Sequence, residues 1–306
     1  MERQRHRQAV IPGATRASPV ILCSAGAATS MASQQQASGQ TRLSYTSYEC
    51  NAWELKLAKS GVTVLIDPWL VGSLTFAEQA WLFRGEKGAK HVQIDVDAIA
   101  DRIDFILLSQ GLPDHAHPPT LKRLPKNIPV VGSPTACRVA SELGFKQVYE
   151  LEHGKEISMC NGRLNVRAFA GALVGPPWST RENGYLITET VEHGIRLFYE
   201  PHCDVPDSAL QSLPPIDVVV TATSSQSLLG YELVQGDSSI EKVVRQTRPR
   251  VLVPLINAAF KLEGPLAKLI YERGSPKELK SRLQKAGLGS IDVQLAEPGQ
   301  PLEVAW

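Results

Sequence analysis

Short apolar stretches recur along the chain, and amphipathic segments separate them. The stretches are rich in Val, Ile and Leu, and many are bounded by Gly, Pro or Asp, which is typical of strands in a buried sheet. This pattern predicts strands at 61–66, 104–108, 128–131, 165–168, 185–188, 196–199, 217–220, 251–254 and 291–295.

Helix signals fall between these strands in both halves of the chain. Ser133 supplies an N-cap before a proline and opens a predicted helix over 133–144. Ser275 does the same for a predicted helix over 275–287, and a third helix is expected between 220 and 251. Strands that precede helices in each half predict an α+β fold in which two sheets lie between outer helices.

Composition narrows the class of protein. The 306 residues carry 32 Lys and Arg against 31 Asp and Glu, without a basic stripe, so we expect no nucleic-acid partner. No apolar run approaches the roughly 20 residues of a membrane-spanning helix, so no transmembrane segment is predicted. The five cysteines are scattered without C-x-x-C spacing, which argues against both a disulfide framework and a structural zinc knuckle.

The first forty residues differ from the rest in charge and side-chain type. Residues 1–40 contain four arginines but one acid, Glu2, and many Ala, Ser and Gln, which is typical of an organelle transit peptide. We expect a disordered chloroplast import signal, cleaved between 26 and 40, that adds nothing to the stability of one domain at 41–306. A mitochondrial signal and a disordered cytosolic tail are the alternatives.

The densest group of potential metal ligands directly follows the strand predicted at 104–108. Residues 109–117 read Ser-Gln-Gly-Leu-Pro-Asp-His-Ala-His and precede two prolines. A loop at the end of a strand projects its side chains from a rigid sheet edge, which is a favoured position for functional groups. Asp114, His115 and His117 are therefore the first candidate site residues.

Two motifs make the resemblance to a known family specific. Asp67-Pro68-Trp69-Leu70 follows a strand, and Ile-Leu-Leu-Ser-x-Gly-x-Pro-Asp-His spans 106–115. Over about 43–306, the chain resembles the metallo-β-lactamase superfamily, most closely its ascorbate-6-phosphate lactonase-like branch. The resemblance implies a four-layer α/β/β/α sandwich with metal sites at the strand ends.

The motif of that family is Thr-His-x-His-x-Asp-His, in which the first two histidines bind one metal and the last two residues bind another. Aligned with this motif, Gln110 and Leu112 stand at the positions of the first two histidines. Only Asp114 and His115 match. The resemblance therefore implies that the first of the two metal sites is lost.

Three further positions implied by the resemblance also differ from the family. The next histidine of the family falls at 170–172, which reads Ala-Gly-Ala, and its last histidine falls at Asn257. His202 stands where the family has an aspartate that bridges two metals. A lone imidazole binds one metal well but does not bridge two as a carboxylate does. The sequence therefore predicts one metal or none.

Two interpretations of the remaining groups stay open. In the first, Asp114, His115 and His202 hold one zinc or iron ion, and the amides of Gln110 and Asn257 orient water or a substrate oxygen beside Asp114. In the second, no metal binds, because Asp114 accepts hydrogen bonds from backbone amides and His115 packs as a neutral ring. Three interpretations of His117 are open: it caps the following helix, it serves as a replacement ligand or base, or its side chain is exposed.

These observations lead to two hypotheses about function. The favoured one is a plastid protein that kept the fold, lost most of its dinuclear metal ligands and serves as a non-catalytic or weakly active binding protein for a small molecule or a protein partner. The alternative is a mononuclear metal-dependent hydrolase of a small ester, lactone or phosphorylated metabolite.

Overall fold

The computed structural model describes residue 21 and residues 40–75, 79–89, 92–175, 178–255 and 260–306. Its strands are β1 (Thr41–Ser47), β2 (Trp53–Leu57), β3 (Thr63–Ile66), β4 (Leu74–Thr75), β5 (Arg84–Lys87), β6 (Phe105–Leu108), β7 (Val130–Gly132), β8 (Val148–Glu150), β9 (Glu156–Met159), β10 (Leu164–Ala170), β11 (Asn183–Glu189), β12 (Arg196–Glu200), β13 (Val218–Ala222), β14 (Ser225–Leu228), β15 (Tyr231–Gln235), β16 (Val251–Leu255), β17 (Phe260–Glu263), β18 (Ile270–Arg273), β19 (Asp292–Val293) and β20 (Pro301–Ala305). Its α-helices are α1 (Val96–Ala100), α2 (Pro118–Arg123), α3 (Pro134–Glu142), α4 (Asp207–Gln211), α5 (Gly236–Thr247) and α6 (Pro276–Lys285).

Two seven-stranded sheets form the centre of the fold. The first has the order β20-β1-β2-β3-β6-β7-β8, and the second has the order β19-β16-β13-β12-β11-β10-β9. Each sheet is antiparallel on one side and parallel on the other, where β3, β6, β7 and β8 run together in the first sheet and β12, β13, β16 and β19 in the second. Parallel neighbours require crossover connections, and helices supply several of them.

Alternating side chains along the central strands divide the apolar residues into three cores. In β3, Val64 and Ile66 belong to the core between the two sheets, whereas Leu65 belongs to the core beneath α1, α2 and α3. In β13, Val218 lies between the sheets and Val219 lies beneath α4, α5 and α6. Successive strand residues point to opposite faces, so strands buried on both faces generate four layers. The predicted α/β/β/α sandwich is confirmed.

The helix boundaries follow from local capping chemistry. The Ser133 hydroxyl accepts a hydrogen bond from the Ala136 amide at the start of α3, and the Ser275 hydroxyl accepts one from the Lys277 amide at the start of α6. Gly144 and Gly287 have positive φ values of 88° and 75° just after the two helices end. None of the helices in the described ranges combines the length and apolarity needed to cross a bilayer.

Several strands at or next to the sheet edges differ from the prediction. β1 alternates half-exposed polar residues with buried ones such as Leu43 and Tyr45, and it pairs on its outer side with the C-terminal strand β20. The last predicted strand, 291–295, is only the two-residue β19. Edge strands bury one face, so their sequences contain fewer consecutive apolar residues than central strands do.

Ile21 is the one residue of 1–39 that the structure describes, and it packs against the folded domain. Its side chain is 5% exposed and belongs to the core between the sheets. Its backbone amide donates a hydrogen bond to the Ser158 carbonyl (3.2 Å), and its carbonyl accepts one from the Asn161 amide (3.1 Å). This residue is therefore bound to the backbone of β9 and of the turn that follows it.

We predict that the Ile21→Ala variant has a free energy of unfolding about 2 kcal/mol lower than that of the wild type, because the substitution removes buried apolar surface. A truncated chain that begins at Thr41 should lose at least as much, since it also lacks both backbone hydrogen bonds. Urea denaturation at fixed pH measures both effects. Ile21→Val is the matched control and should cost about 1 kcal/mol or less. Equal stability of the truncated and full chains would contradict this prediction.

Candidate functional site

The candidate site lies where parallel strands of both sheets end. Asp67 directly follows β3, the segment 109–117 joins β6 to α2, and His202 follows β12. The rings of His115 and His202 meet edge to face with their centroids 5.2 Å apart. The carboxyl ends of the parallel strands in the two sheets therefore meet at one place, which is a favoured ligand position in α/β folds.

Asp67 is the structural centre of this site, although the sequence pattern marked it only as part of a motif. It is fully buried, and its carboxylate accepts hydrogen bonds from the Ser109 amide (2.7 Å), the Tyr199 hydroxyl (2.6 Å) and His115 Nδ1 (2.8 Å). The Ser109 hydroxyl donates a further bond. Its φ of 43° is uncommon for a residue other than glycine. Through the bond to Nδ1, Asp67 thereby fixes the orientation of the His115 ring.

Three potential ligand residues converge in front of Asp67. Asp114, His115 and His202 each offer a donor atom, and these atoms all lie within 4.8 Å of one another. His115 Nε2 lies 3.2 Å from Asp114 Oδ2. The His115 side chain is fully buried, His202 is 5% exposed, and the Asp114 side chain is 32% exposed. This is the only such group among the described residues, and it contains the three metal ligands that the sequence predicted.

The charges of this group are strongly coupled. Burial by itself would lower the pKa of His115, but the carboxylates of Asp114 and Asp67 raise it to about 10. Burial would raise the pKa of Asp114, but the charge of His115 lowers it to about 2. Burial, with the nearby His115 charge, lowers the pKa of His202 to about 4. At neutral pH, His202 is therefore an unprotonated imidazole with a free lone pair, as a metal requires.

Two amide side chains complete the walls of the site. Gln110, predicted to orient water, is buried, and its Nε2 lies 3.4 Å from His202 Nε2. Asn51 was missed by the sequence reasoning, and its Nδ2 lies 3.1 Å from His115 Nε2 and 3.3 Å from Asp114 Oδ2. Asn51 lies in the turn between β1 and β2, and no motif marks it.

The other predicted positions have different surroundings. Leu112 is 41% exposed, and a Cβ added at Gly171 would lie 2.7 Å from the Gly184 amide nitrogen. His117 is buried rather than exposed, and it stands at the N-cap position of α2 without a capping bond to the helix backbone. Its Nδ1 lies 3.0 Å from the Thr120 hydroxyl instead. Asn257 lies outside the described residues.

The donor set fits one divalent transition-metal ion. Two imidazoles and a carboxylate are the ligands that zinc and iron prefer, and Asp67 supplies the carboxylate behind a ligating histidine that metal centres commonly have. His202 Nδ1 and Gln110 Oε1 are buried without a hydrogen-bond partner in the described part of the chain. A cavity of about 30 Å³ lies beside Asp114 and His202, which is enough space for a water molecule.

The fold and this group of ligands define a class of protein, and the family comparison agrees with it. The family model described as "Beta-lactamase superfamily domain" matches residues 44–256, which is more than half of the chain. The protein therefore belongs to the beta-lactamase superfamily and has the metallo-β-lactamase fold. The resemblance predicted from Asp67 and from 106–115 is confirmed at the level of the superfamily.

Individual relatives are distant in sequence. A UPF0173 protein of Pyrococcus furiosus is 27% identical over 195 residues, which cover 63% of this chain and 79% of that protein. Igni18, a metallo hydrolase of Ignicoccus hospitalis, is 16% identical, with a TM-score of 0.62 and coverage of 86% and 99% of the two chains. A possible metal-dependent hydrolase of Veillonella parvula is 17% identical, with a TM-score of 0.63 and coverage of 87% and 100%. The two structures show the shared fold.

We predict that His115 and His202 give the metal-free protein a stability maximum near pH 6.5, the pKa of an unfolded histidine. Below that pH, His202 is protonated in the unfolded chain but stays neutral in the folded chain down to about pH 4. The free energy of unfolding therefore falls as the pH falls. Above it, unfolded His115 loses a proton that the folded chain keeps until about pH 10, so stability falls as the pH rises.

Urea denaturation across pH in the presence of a chelator measures this effect. His202→Asn should flatten the acid side of the profile, His115→Asn should flatten the alkaline side, and the exposed control His153→Asn should change neither side. A tenfold difference in proton affinity between the folded and unfolded chains corresponds to about 1.4 kcal/mol of stability. An acid limb that is equally steep in His202→Asn and in the wild type would show that His202 does not cause it.

Proposed function

We propose that this protein binds a single divalent transition-metal ion through Asp114, His115 and His202, and that it acts as a binding protein with little or no hydrolytic activity. The observation that carries the proposal is the convergence of these three donors within 4.8 Å around a buried, unprotonated imidazole. Zinc and iron both suit the donor set. In the alternative interpretation of the sequence, Asp114 only accepts hydrogen bonds from backbone amides. The closeness of the Asp114 carboxylate to His115 Nε2 disfavours this alternative.

The residues around the three proposed ligands each have a separate role. Asp67 accepts the Nδ1 proton of His115 and so orients the ring with Nε2 toward Asp114; Nε2 would give up its proton when an ion binds. The Gln110 amide, beside His202, holds that imidazole in position. When bound, a divalent ion supplies Lewis acidity and lowers the pKa of a water molecule. The fully buried Tyr199 and Ser109 donate hydrogen bonds to the Asp67 carboxylate, so the ligands stay in place without the ion.

A dinuclear centre does not suit the remaining residues. Gln110 and Leu112 take the positions of the first two histidines of the family, and the Leu112 side chain is 41% exposed. The region near Gly171, where the family has another histidine, leaves no room for a Cβ. His202 replaces the bridging carboxylate. We therefore propose that most of the dinuclear ligands have been lost and that the motif is degenerate.

The second candidate function is a mononuclear hydrolase of a small ester, lactone or phosphorylated metabolite, in keeping with the ascorbate-6-phosphate lactonase-like branch. One observation favours it: the buried Gln110 side chain has an Oε1 without a partner in the described ranges, beside His202. Such an amide could position a water molecule or a substrate oxygen. The cavity of about 30 Å³ counts against it, because drug-sized ligands occupy pockets of several hundred Å³.

We also propose that residues 1–40 direct the protein to the chloroplast stroma, with the mitochondrion as the alternative. Their four arginines and single acid support this proposal. A fluorescent protein fused to residues 1–40 should accumulate in plastids of plant cells, and a diffuse cytosolic signal would contradict the proposal. Cleavage between 26 and 40 would remove Ile21, so the processed chain should be less stable than the full one.

We predict that protein purified without added metal and then dialysed against zinc retains one ion per chain. His115→Ala and His202→Ala should lose this ion, because each removes one of three ligands, whereas the control His117→Ala should keep it. Elemental analysis of folded protein measures the stoichiometry. Two tightly bound ions per chain, or full occupancy in His202→Ala, would contradict the proposed site.

We predict that hydrolysis of β-lactam and thioester substrates is slow, because only a single ion is available to activate water. The double variant Gln110→His and Leu112→His should bind more metal without a comparable rise in turnover, since the bridging acid is still missing. Chromogenic substrates and elemental analysis on the same samples separate the two effects. Rapid turnover by the wild type that a chelator abolishes would favour the hydrolase instead.

A further inference from the structure

The turn at 48–52, which joins β1 to β2, brings a side chain to the candidate site from a strained backbone. Glu49 and Cys50 have positive φ values of 66° and 54°. Two consecutive left-handed residues other than glycine are uncommon, and they persist only where the surrounding structure holds them. Asn51 follows directly, and its Nδ2 donates a hydrogen bond to Asp114 Oδ2 (3.3 Å). The position of Asn51 therefore depends on what holds the turn.

Three residues at and just after the end of β5 hold this turn. The Lys87 ammonium group donates a hydrogen bond to the Tyr48 carbonyl. The Gly88 and Ala89 amides donate hydrogen bonds to Glu49 Oε1, at 3.1 Å and 2.9 Å. Glu49 is 4% exposed, so these backbone donors compensate its carboxylate in place of solvent. The three hydrogen bonds tie the end of β5 to the first half of the turn.

Lys87 also binds another wall of the cavity. Its ammonium group donates a second hydrogen bond to the Trp69 carbonyl and lies 5.3 Å from the centre of the Trp69 ring. Trp69 and Asn51 both line the cavity beside the proposed ligands. Burial lowers the pKa of Lys87 to about 8, because it disfavours the charged form. Two carbonyls and one aromatic ring compensate this charge, so the ammonium group joins the turn to the segment after β3.

We infer that Lys87 is a positioning residue of the proposed metal site, because its ammonium group holds the turn against Trp69 and the turn holds Asn51 against the ligands. This inference rests on the proposed three-ligand site. The Asp114 side chain is 32% exposed whereas that of His115 is fully buried, so the Asn51 hydrogen bond restrains the ligand that packing fixes less. Groups that hydrogen-bond to metal ligands commonly contribute about 10- to 100-fold to metal affinity.

A double-mutant cycle tests this inference through the zinc affinity of the full chain. Lys87→Met keeps the apolar stem of the side chain but removes the ammonium group, so zinc should bind about 10-fold more weakly than to the wild type. Asn51→Ala removes the amide beside the ligands and should weaken binding by a similar factor. If Lys87 acts through Asn51, the double variant should lose only about 10-fold in total, whereas independent effects would multiply to about 100-fold.

Lys126 provides a matched control away from the site. Its ammonium group also donates hydrogen bonds to two backbone carbonyls, those of Leu121 and Lys122, and lies 4.4 Å from the centre of the Phe145 ring. Lys126→Met removes the same kinds of interaction, and its zinc affinity should stay within about 2-fold of the wild-type value. Urea denaturation of the metal-free variants separates a general loss of stability from a change in zinc affinity.

A second variant covers the case in which Lys87→Met fails to fold. Glu49→Ala removes the acceptor of the Gly88 and Ala89 amides and leaves the lysine in place. It should weaken zinc binding several-fold, and it should cause no further loss in the Asn51→Ala background.

The outcomes separate this inference from the proposed function. Zinc binding by the wild type with an unchanged affinity in Lys87→Met, or with losses that multiply in the double variant, would overturn the role of Lys87 and leave the three-ligand site intact. Failure of the wild type to bind zinc would overturn both.

Discussion

The buried carboxylate of Asp67 is the constraint on which the arrangement of the site depends. Its partners come from three parts of the fold: Ser109 at the end of β6, Tyr199 on β12 and His115 in the loop before α2. A buried carboxylate is costly unless hydrogen bonds compensate it, so all these groups must keep their places together. One side chain therefore links the first sheet, the second sheet and the site loop.

This constraint fixes the position of the loop at 109–117 relative to both sheets. The 109–117 segment carries few apolar anchors, yet His115 is fully buried and its ring is held on both nitrogens. Asp67 on one side and Asp114 on the other compensate the charge that burial disfavours. Charged groups paired in this way stabilise the fold only while every partner is present. The buried charges of Asp67, Asp114 and His115 thus compensate one another within the protein.

The comparison with distant relatives shows which features carry the fold. Structures that share 16% and 17% identity with this chain have TM-scores of 0.62 and 0.63. At that distance most side chains differ, so the shared architecture must follow from the alternation that buries both faces of central strands such as β3 and β13. The chemistry at the strand ends can therefore vary among proteins that share this scaffold.

Much of the sandwich was predictable because its signals are local. The apolar stretches that became β3, β6, β12, β13 and β16, and the serine caps of α3 and α6, depend on neighbouring residues and the geometry of one element. Asp114, His115 and His202 could be chosen as candidate ligands because a strand end and a family motif marked their positions, and the structure brings the three together.

The remaining features required the tertiary structure. The pairing of β1 with β20, the position of Ile21 in the core, and the contacts of Asn51 with Asp114 and His115 join residues far apart in the sequence. No periodic pattern or turn residue encodes such contacts, because their partners are chosen by how the sheets stack. By itself, the sequence determined the layers and pointed to the candidate ligands, whereas only tertiary packing decided what surrounds those residues and how much space they enclose.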